Sequence, residues 1–233
     1  MSEDRLWVEK HRPASLDALE YNTNLKTLLN RVVTCDDFPH LLLYGPSGAG
    51  KRTLTRCILQ KLFGPGVQKI KSEIKEFKAT SSTSTECVIF SSNFHIELTP
   101  SEADNYDRVI VNKMIKEVAS SYQIDTKKQH PFKVVVIHEV DNLTKEAQAG
   151  LRRTMEKYIN TCRIIFNCES VSKVIQPIRS RCLLVRVPAP SAKDIAHVLK
   201  GISQREGFAL PDKLATKIGH VSGRNLRRAI MMM

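Results

Sequence analysis

A run of small residues, Gly45-Pro46-Ser47-Gly48-Ala49-Gly50-Lys51, constrains this chain more than any other segment. It follows a short apolar stretch at 40–44 that is typical of a buried strand, and a helical pattern occupies 53–62. Glycines in such a turn let backbone N–H groups curl inward, where the start of the helix favours an anion. The context predicts a phosphate-binding loop with Lys51 reaching the phosphate oxygens. The alternative is a glycine turn with a surface lysine, and the flanking strand and helix argue against it.

The position after Lys51 departs from the usual phosphate-binding loop, which has a hydroxyl there to bind Mg²⁺. Arg52 occupies it, and a guanidinium cannot ligate a cation. Thr53 comes next, but one helical step rotates a side chain by about 100°, away from the metal position. We therefore expect a nucleotide site in which Arg52 partly replaces the ion electrostatically, and the need for Mg²⁺ stays open.

A second apolar stretch, ending at Ile137, predicts a buried strand that runs into His138-Glu139. In P-loop nucleoside triphosphatases a carboxylate at this strand end supports the metal, and a neighbouring residue activates water. Glu139 has the position of the water-activating base, whereas His138 replaces the metal-supporting carboxylate. The pair predicts a degenerate catalytic site. The alternative is an ordinary strand end.

Short β-branched stretches alternate with helical patterns through most of the chain, which predicts an α/β fold with a parallel sheet flanked by helices. The predicted strands are 40–44, 94–98, 133–137, 163–166 and 183–187. A Ser- and Thr-rich stretch at 71–88 predicts an inserted hairpin or loop. An apolar stripe predicts a helix at 109–119 with Asp107 as its N-cap, and a second stripe follows Thr144, another N-cap candidate.

A proline pair, Pro188 and Pro190, marks the clearest boundary, because proline stops a strand. Ser191 can cap the helix that follows. Helices are predicted at 192–202, at 212–221 and from Asn225 onward. We expect a nucleotide-binding domain at 1–188 and a helical domain at 189–233 that is truncated inside its third helix.

Composition narrows the class of protein only slightly. The chain has 36 Lys and Arg against 24 Asp and Glu, a net charge of +12 that suits a polyanionic partner or serves solubility alone. Its six cysteines show no C-x-x-C spacing, so reduced thiols are expected and no protein-ligated metal is predicted. The chain also has no apolar run that could span a bilayer, and we expect an intracellular protein.

Four further strings together resemble one family. They are Leu6-Trp7-Val8-Glu9-Lys10-His11-Arg12-Pro13, Leu151-Arg152-Arg153-Thr154-Met155-Glu156, the Ser-Arg-Cys motif in Ile178-Arg179-Ser180-Arg181-Cys182, and Ser222-Gly223-Arg224-Asn225-Leu226-Arg227. In this order, from Leu6 to the last residue, the chain resembles the replication factor C small subunits, AAA+ proteins of the eukaryotic sliding-clamp loader. That family usually has Tyr at the His11 position and Gly-Asp at Arg224-Asn225. Arg52 and His138 make the chain most similar to the divergent type called subunit 3 or subunit 5.

The resemblance implies roles for particular residues. The implied nucleotide-binding residues are Val8, Arg12, Pro13, Gly45, Pro46, Ser47, Gly48, Ala49, Gly50, Lys51, Arg52, Thr53 and Arg227. Arg181 is implied to be an arginine finger for a neighbour's nucleotide, and Arg227 to tie the lid to the γ-phosphate. Alignment on Ser172-Lys173 places the family's sensor 1 at Glu169, with Asn167 as the alternative.

Plainer alternatives exist for several of these residues. Arg152 and Glu156 are spaced to pair on a helix surface. Arg181 alone could be a solvated strand-edge residue, and Arg227 part of a basic helix face. Trp7 could be a packing anchor rather than a nucleotide contact.

The family's ring tracks the DNA backbone with the N-terminal ends of helices, which implies DNA contacts here. Arg108 and Lys145 fall at predicted helix starts, where a cation and exposed N–H groups can bind one phosphate together. Lys173 lies near the segment that leads to the Ser-Arg-Cys motif. For each the alternative is a solvated surface charge.

The resemblance implies a nuclear subunit of a hetero-pentameric ring that binds ATP or ADP. The ring contains the other replication factor C subunits and loads the sliding clamp PCNA onto primer–template DNA in replication and repair. The family's helical collar domain has no counterpart in these residues. Two functions stay open: a subunit that hydrolyses little ATP but donates Arg181, and a catalytically active AAA+ ATPase subunit. A small-molecule P-loop kinase is disfavoured by the Ser-Arg-Cys and sensor 2 segments.

Overall fold

The computed structural model describes residues 5–35, 37–78, 84–101, 106–120 and 132–233. The chain divides into two compact units. The first contains the described residues of Met1–Thr34, Gly45–Ile58 and Arg186–Met233, and the second those of Cys35–Tyr44 and Leu59–Val185. No helix in the described ranges is both long and apolar enough to cross a membrane.

The described residues of the second unit are organised around a seven-stranded sheet. Its strands are β1 (Leu41–Tyr44), β2 (Lys71–Lys78), β3 (Ser84–Ser91), β4 (His95–Leu98), β5 (Lys133–Ile137), β6 (Cys162–Cys168) and β7 (Leu183–Arg186). Their order in the sheet is β2-β3-β4-β5-β6-β1-β7. β4, β5, β6 and β1 pair in parallel, so their carboxyl ends meet at one edge of the sheet. All five predicted strands are present, with ends that differ by up to two residues.

The hairpin predicted at 71–88 is present as β2 and β3, with its tip outside the described residues. It joins the sheet as an antiparallel extension, because β2 pairs antiparallel with β3 and β3 pairs antiparallel with β4. The sheet is therefore mixed, with the predicted parallel arrangement from β4 to β1 and an antiparallel extension formed by β3 and β2. The polar alternation of the hairpin explains the difference, since antiparallel strands tolerate one solvated face.

The helices are α1 (Trp7–Lys10), α2 (Thr23–Thr34), α3 (Lys51–Phe63), α4 (Asp107–Ser120), α5 (Lys145–Lys157), α6 (Gln176–Arg179), α7 (Ala192–Arg205), α8 (Asp212–Val221) and α9 (Leu226–Met231). α4, α5 and α6 belong to the second unit, and α1, α2, α7, α8 and α9 to the first. The caps predicted at Thr144 and Ser191 are confirmed, and a third cap, at Asn225, was not predicted. Thr144 caps α5, Asn225 caps α9, and Ser191 forms a capping box with Asp194 at the start of α7.

The core of the second unit is an apolar cluster between the sheet and α4 and α5. Val134, Val135, Val136 and Ile137 are fully buried, as expected for a strand covered on both faces. Each such side chain contributes about 1.5–3 kcal/mol relative to an exposed position. The first unit has a smaller core, formed by Ile195, Leu199, Ile218 and Ala229.

Candidate nucleotide site and motif residues

The predicted phosphate-binding loop lies in the first unit and leads into α3, which begins at Lys51. Gly48 and Gly50 have φ angles of 71° and 92°, in the left-handed region that glycine adopts without strain. Lys51 Nζ donates to the carbonyl oxygens of Gly45 and Pro46 at 2.6 and 2.9 Å. The loop therefore curls around its own lysine, whose Nζ is held by two loop carbonyl oxygens.

The start of α9 lies directly against this loop. The N–H of Leu226 donates to the carbonyl oxygen of Gly48 at 3.2 Å. A Cβ at Gly48 would come within 1.9 Å of Asn225 Oδ1, so only glycine fits there. The family's usual Asp position is thus occupied by an Asn that contacts the loop and also caps α9 through the N–H of Arg228, 3.0 Å away.

The hydroxyl group that follows Arg52 in the sequence, that of Thr53, is held by an arginine. Thr53 Oγ1 accepts a hydrogen bond from Arg12 Nη1 at 3.2 Å, while the side chain of Arg52 is exposed. A cation at Thr53 would compete with a guanidinium already bound there. Neither residue after Lys51 therefore fits as a ligand for Mg²⁺.

The N-terminal segment forms a charged cluster around the same arginine. Arg12 donates through Nη2 and Nε to the carboxylate of Glu9, and Arg56 lies 3.5 Å from that carboxylate. Burial alone would raise the pKa of Glu9, but the hydrogen bond and charge of Arg12 lower it, with further lowering by Arg56 and Arg227. Arg227, the predicted sensor 2 arginine, is exposed, and its charge acts on the carboxylate of Glu9 in this segment.

The rest of the N-terminal box packs against the helical part of the same unit. Trp7 stacks on Phe208 with ring centroids 5.6 Å apart, the packing role that the sequence left open. Lys10 Nζ and His11 Nε2 both contact the carboxylate of Glu206, at 2.7 Å for Lys10. Phe208 and Glu206 were not predicted from the sequence. They follow α7, and no local sequence pattern identifies such residues as contacts of the N-terminal segment. Val8 is half-buried, and the carbonyl oxygen of Pro13 accepts from Cys57 Sγ at 3.4 Å.

In the second unit, His138 belongs to a buried polar network. Its Nδ1 lies 2.9 Å from Asn167 Nδ2 and its Nε2 3.4 Å from Glu97 Oε2. His95 Nε2 lies 3.3 Å from Glu97 Oε1. Burial alone would raise the pKa of Glu97, but hydrogen bonds from His138 and His95 outweigh it and hold the pKa well below its usual range. Both ring nitrogens of His138 are engaged, so it does not fit as a metal ligand either.

Glu139, the predicted water-activating base, adopts a left-handed backbone with φ 55° and ψ 43°. Such a conformation costs a non-glycine residue about 1–3 kcal/mol. Ser101 Oγ and Asn142 Nδ2 each donate to its Oε2 at 3.3 Å, which orients the exposed carboxylate. A carboxylate therefore lies at the predicted base position, directly after the buried His138.

Comparisons with known proteins identify the family and the fold. The family described as DNA polymerase III, delta subunit, matches residues 21–191, and the family described as RCF1/5-like, AAA+ ATPase lid domain, matches residues 197–233. Replication factor C subunit 3 of Homo sapiens is 53% identical over 227 residues, and replication factor C subunit 5 of Neurospora crassa is 51% identical over 227. This chain belongs to the family of replication factor C subunits 3 and 5.

Each of these two alignments covers 97% of this chain and 64% of the relative, so the chain spans less than two thirds of either replication factor C subunit. The fold is also found in a solved structure of the Holliday junction branch migration motor RuvB from Thermotoga maritima. That likeness has a TM-score of 0.67 at 18% identity and covers 95% of this chain and 63% of RuvB. Together the comparisons confirm the AAA+ fold with a helical lid.

The Ser-Arg-Cys arginine of this replication factor C family member is anchored within the second unit. Arg181 donates through Nε to Glu156 Oε1 at 2.9 Å, through Nη2 to the same oxygen, and through Nη1 to the carbonyl oxygen of Pro177 at 2.8 Å. Arg152 Nε is 3.6 Å from that oxygen, so the predicted pairing of Arg152 with Glu156 is also present. The arginine is therefore held by a partner on α5.

For sensor 1, the structure places Asn167 rather than Glu169 beside His138. Asn167 is buried on β6, whereas the side chain of Glu169 is exposed and its N–H donates to Asp141 Oδ2 at 3.1 Å. The alternative position is thus the one in contact with the second nucleotide motif. β6 extends to Cys168, so Asn167 lies within the buried strand and Glu169 follows it.

The starts of α4 and α5 are joined by the carboxylate of Asp107. Its Oδ1 accepts from the N–H of Arg108 at 2.6 Å and from Thr144 Oγ1 at 3.0 Å, and its Oδ2 accepts from the N–H of Thr144 at 2.7 Å. The prediction of Asp107 as an N-cap was wrong, because α4 begins at Asp107 and the carboxylate turns toward Thr144. Arg108 and Lys145 are exposed at these adjacent helix starts. Lys173 is exposed in a short 3₁₀ turn.

Proposed function

We propose that this chain is a nucleotide-binding subunit of the replication factor C clamp loader that hydrolyses little ATP itself. The similarity to replication factor C subunits 3 and 5 and the match to the RCF1/5-like lid family over 197–233 support placement in that assembly. The partners proposed are the other replication factor C subunits in a hetero-pentameric ring, the sliding clamp PCNA and primer–template DNA. The proposed location is the nucleus, and the proposed domain division is 1–188 and 189–233.

The observation that carries the proposal is the state of the residues that should bind a metal. In the first unit, Thr53 Oγ1 is bound by Arg12 and Arg52 follows the P-loop lysine. In the second unit, both nitrogens of His138 are used by Asn167 and Glu97. Phosphoryl transfer in P-loop proteins depends on a bound metal ion to neutralise developing charge. Binding of ATP or ADP through the loop N–H groups and Lys51 needs no such ligand.

The chain would contribute to catalysis through Arg181 instead. An arginine supplied to a neighbour's γ-phosphate stabilises transition-state charge and is worth about 10³–10⁵ in rate in related P-loop systems. The alternative, an active ATPase subunit, is favoured by one observation, the oriented carboxylate of Glu139.

The test is reconstitution of the clamp loader with wild-type chain, Lys51→Ala or Arg181→Ala. Lys51→Ala should weaken nucleotide binding by this chain while the ring still assembles. Arg181→Ala should leave this chain's nucleotide affinity unchanged and lower the ATP turnover of the ring. A ring that assembles, turns over ATP and loads PCNA equally well without this chain would reject the proposal.

A further inference from the structure

The side chain of Glu156 determines how the arginine of the Ser-Arg-Cys motif is held. Two N–H groups of Arg181 point at Glu156 Oε1, and a third is bound by the carbonyl oxygen of Pro177. The backbone of Arg181 is also fixed, since its N–H donates to the carbonyl oxygen of Ile178 at 3.0 Å. The guanidinium is thus restrained from both ends.

The carboxylate of Glu156 engages the Nε–Nη2 edge of the guanidinium, while Nη1 donates to the carbonyl oxygen of Pro177 and to Ser180 Oγ, 3.4 Å away. Each terminal nitrogen of a guanidinium carries two N–H groups, so Nη1 and Nη2 each have a second N–H besides the one given to Pro177 or Glu156, and two such groups can bind one phosphate. The side chain of Arg181 is 34% exposed, so the guanidinium is accessible although it is anchored. A carboxylate on one edge therefore orients the guanidinium for an anion at the remaining N–H groups.

We propose that Glu156 is a positioning residue for Arg181, fixing the guanidinium so that it meets the γ-phosphate held by a neighbouring subunit. This inference rests on the proposed function of Arg181 as an arginine finger. A long arginine side chain without a partner samples many rotamers, and loss of orientation costs rate when a group must meet developing charge.

Glu156 should act on turnover more than on binding. Its negative charge does not attract the nucleotide, so Glu156 should not strengthen the binding of ATP before the reaction. Orientation of Arg181 matters most in the transition state, where the charge on the phosphoryl oxygens is redistributed. Removing an interaction made only in the transition state lowers kcat and leaves KM nearly unchanged.

The experiment compares Glu156→Ala, Glu156→Gln, Arg181→Ala and the double variant in the reconstituted ring, with DNA-stimulated ATP turnover as the readout. The turnover that Arg181 supplies is the difference between wild type and Arg181→Ala. Glu156→Ala should lower this Arg181-dependent turnover by about 10-fold and leave the KM for ATP unchanged. Glu156→Gln should lose less, because its amide oxygen still accepts from the guanidinium.

The matched control is Arg152→Ala, which removes the other arginine near Glu156 and should leave turnover unchanged. The double variant should be no slower than Arg181→Ala alone, since a positioning residue has no effect without the group it positions. An additive double variant would instead indicate a general structural role and overturn the inference.

The remaining outcomes separate the two claims. If Arg181→Ala slows the ring and Glu156→Ala does not, the inference fails and the arginine finger stands. If Arg181→Ala has no effect, the proposed role of Arg181 fails, and the inference fails with it. Faster turnover in Glu156→Ala would show that the ion pair holds the arginine back, which also contradicts positioning.

Discussion

Asn167 Nδ2 lies 2.9 Å from His138 Nδ1, and this contact fixes the state of the imidazole. Because the amide N–H₂ group can only donate, Nδ1 is the acceptor and the ring hydrogen lies on Nε2, facing Glu97 Oε2. The histidine at the position of the metal-supporting carboxylate is therefore hydrogen-bonded through both ring nitrogens in a buried network that includes the carboxylate of Glu97. The change from an acidic residue to His138 is accommodated by the surrounding structure.

Restoring the acidic residue alone should therefore damage the protein. His138→Asp would bury a second carboxylate near Glu97 and remove the imidazole that pairs with it. We expect a loss of about 3 kcal/mol or more in the free energy of unfolding, the scale for an uncompensated buried charge. His138→Asn is the uncharged control and should lose less. Urea unfolding measures both, and recovery of stability in His138→Asp/Glu97→Gln would confirm the cause, whereas an equally stable His138→Asp would contradict it.

His40 should make the protein acid-sensitive. Its side chain is buried, its Nδ1 accepts from the N–H of Ile164 at 3.0 Å, and burial, with the charge of Arg163, lowers its pKa from 6.5 to about 4. Between these values the unfolded state binds a proton that the folded state does not, so stability falls as pH falls from about 6.5 toward 4.

From pH 7 to pH 5 the contribution of His40 should fall by about 2 kcal/mol. His40→Gln, whose side chain does not titrate, should show a correspondingly smaller loss over the same interval. Urea unfolding of both proteins across that pH range is the measurement. Equal losses in the two proteins would mean that His40 titrates in the same way when folded and unfolded.

Arg224 occupies the position where the family usually has glycine, and its backbone has the left-handed φ of 63°. Its side chain compensates by donating to the carbonyl oxygens of Pro190 and Ala189 at 3.0 and 2.9 Å. Arg224→Ala should lose these bonds and keep the strain, costing about 1–2 kcal/mol. Arg224→Gly loses the bonds but relieves the strain, so its melting temperature should lie above that of Arg224→Ala. The reverse order would show that the backbone is not strained.

The basic helix starts should bind DNA through phosphates. Asp107 holds the starts of α4 and α5 together, which places Arg108 and Lys145 on adjacent exposed positions. Replacing both by alanine should weaken primer–template binding by the assembled ring and lower the salt slope by about 0.9 for each phosphate that is no longer neutralised. Arg153→Ala, exposed in the middle of α5, is the matched control. Slopes and affinities equal to wild type in the double variant would show that these residues do not face DNA.

Local patterns predicted much of the fold correctly. The caps at Thr144 and Ser191 were predictable because a capping side chain bonds to backbone within its own turn. The strand 133–137 was predicted with its observed ends, since a continuous β-branched run is typical of a buried strand. The antiparallel extension was missed because a polar, alternating hairpin does not specify which strand it will pair with.

The contacts that define the candidate sites were less predictable, because their partners are far apart in the sequence. Arg12 and Thr53 are separated by 41 positions, as are Glu97 and His138. The Glu97 network exists only because β4, β5 and β6 are neighbours in the sheet, an order that no local pattern specifies. Arg181 was identified through its motif, but its anchor on Glu156 required the packing of α6 against α5.

The central claim is that the chain binds ATP without a metal ion and hydrolyses little of the ATP that it binds. The direct measurement mixes isolated chain with labelled ATP, in EDTA and in Mg²⁺, and determines both the bound fraction and the ADP formed. We predict similar dissociation constants in the two buffers, with the bound nucleotide remaining ATP. Binding that disappears in EDTA, or steady turnover at about 1 per second or faster, would contradict the account.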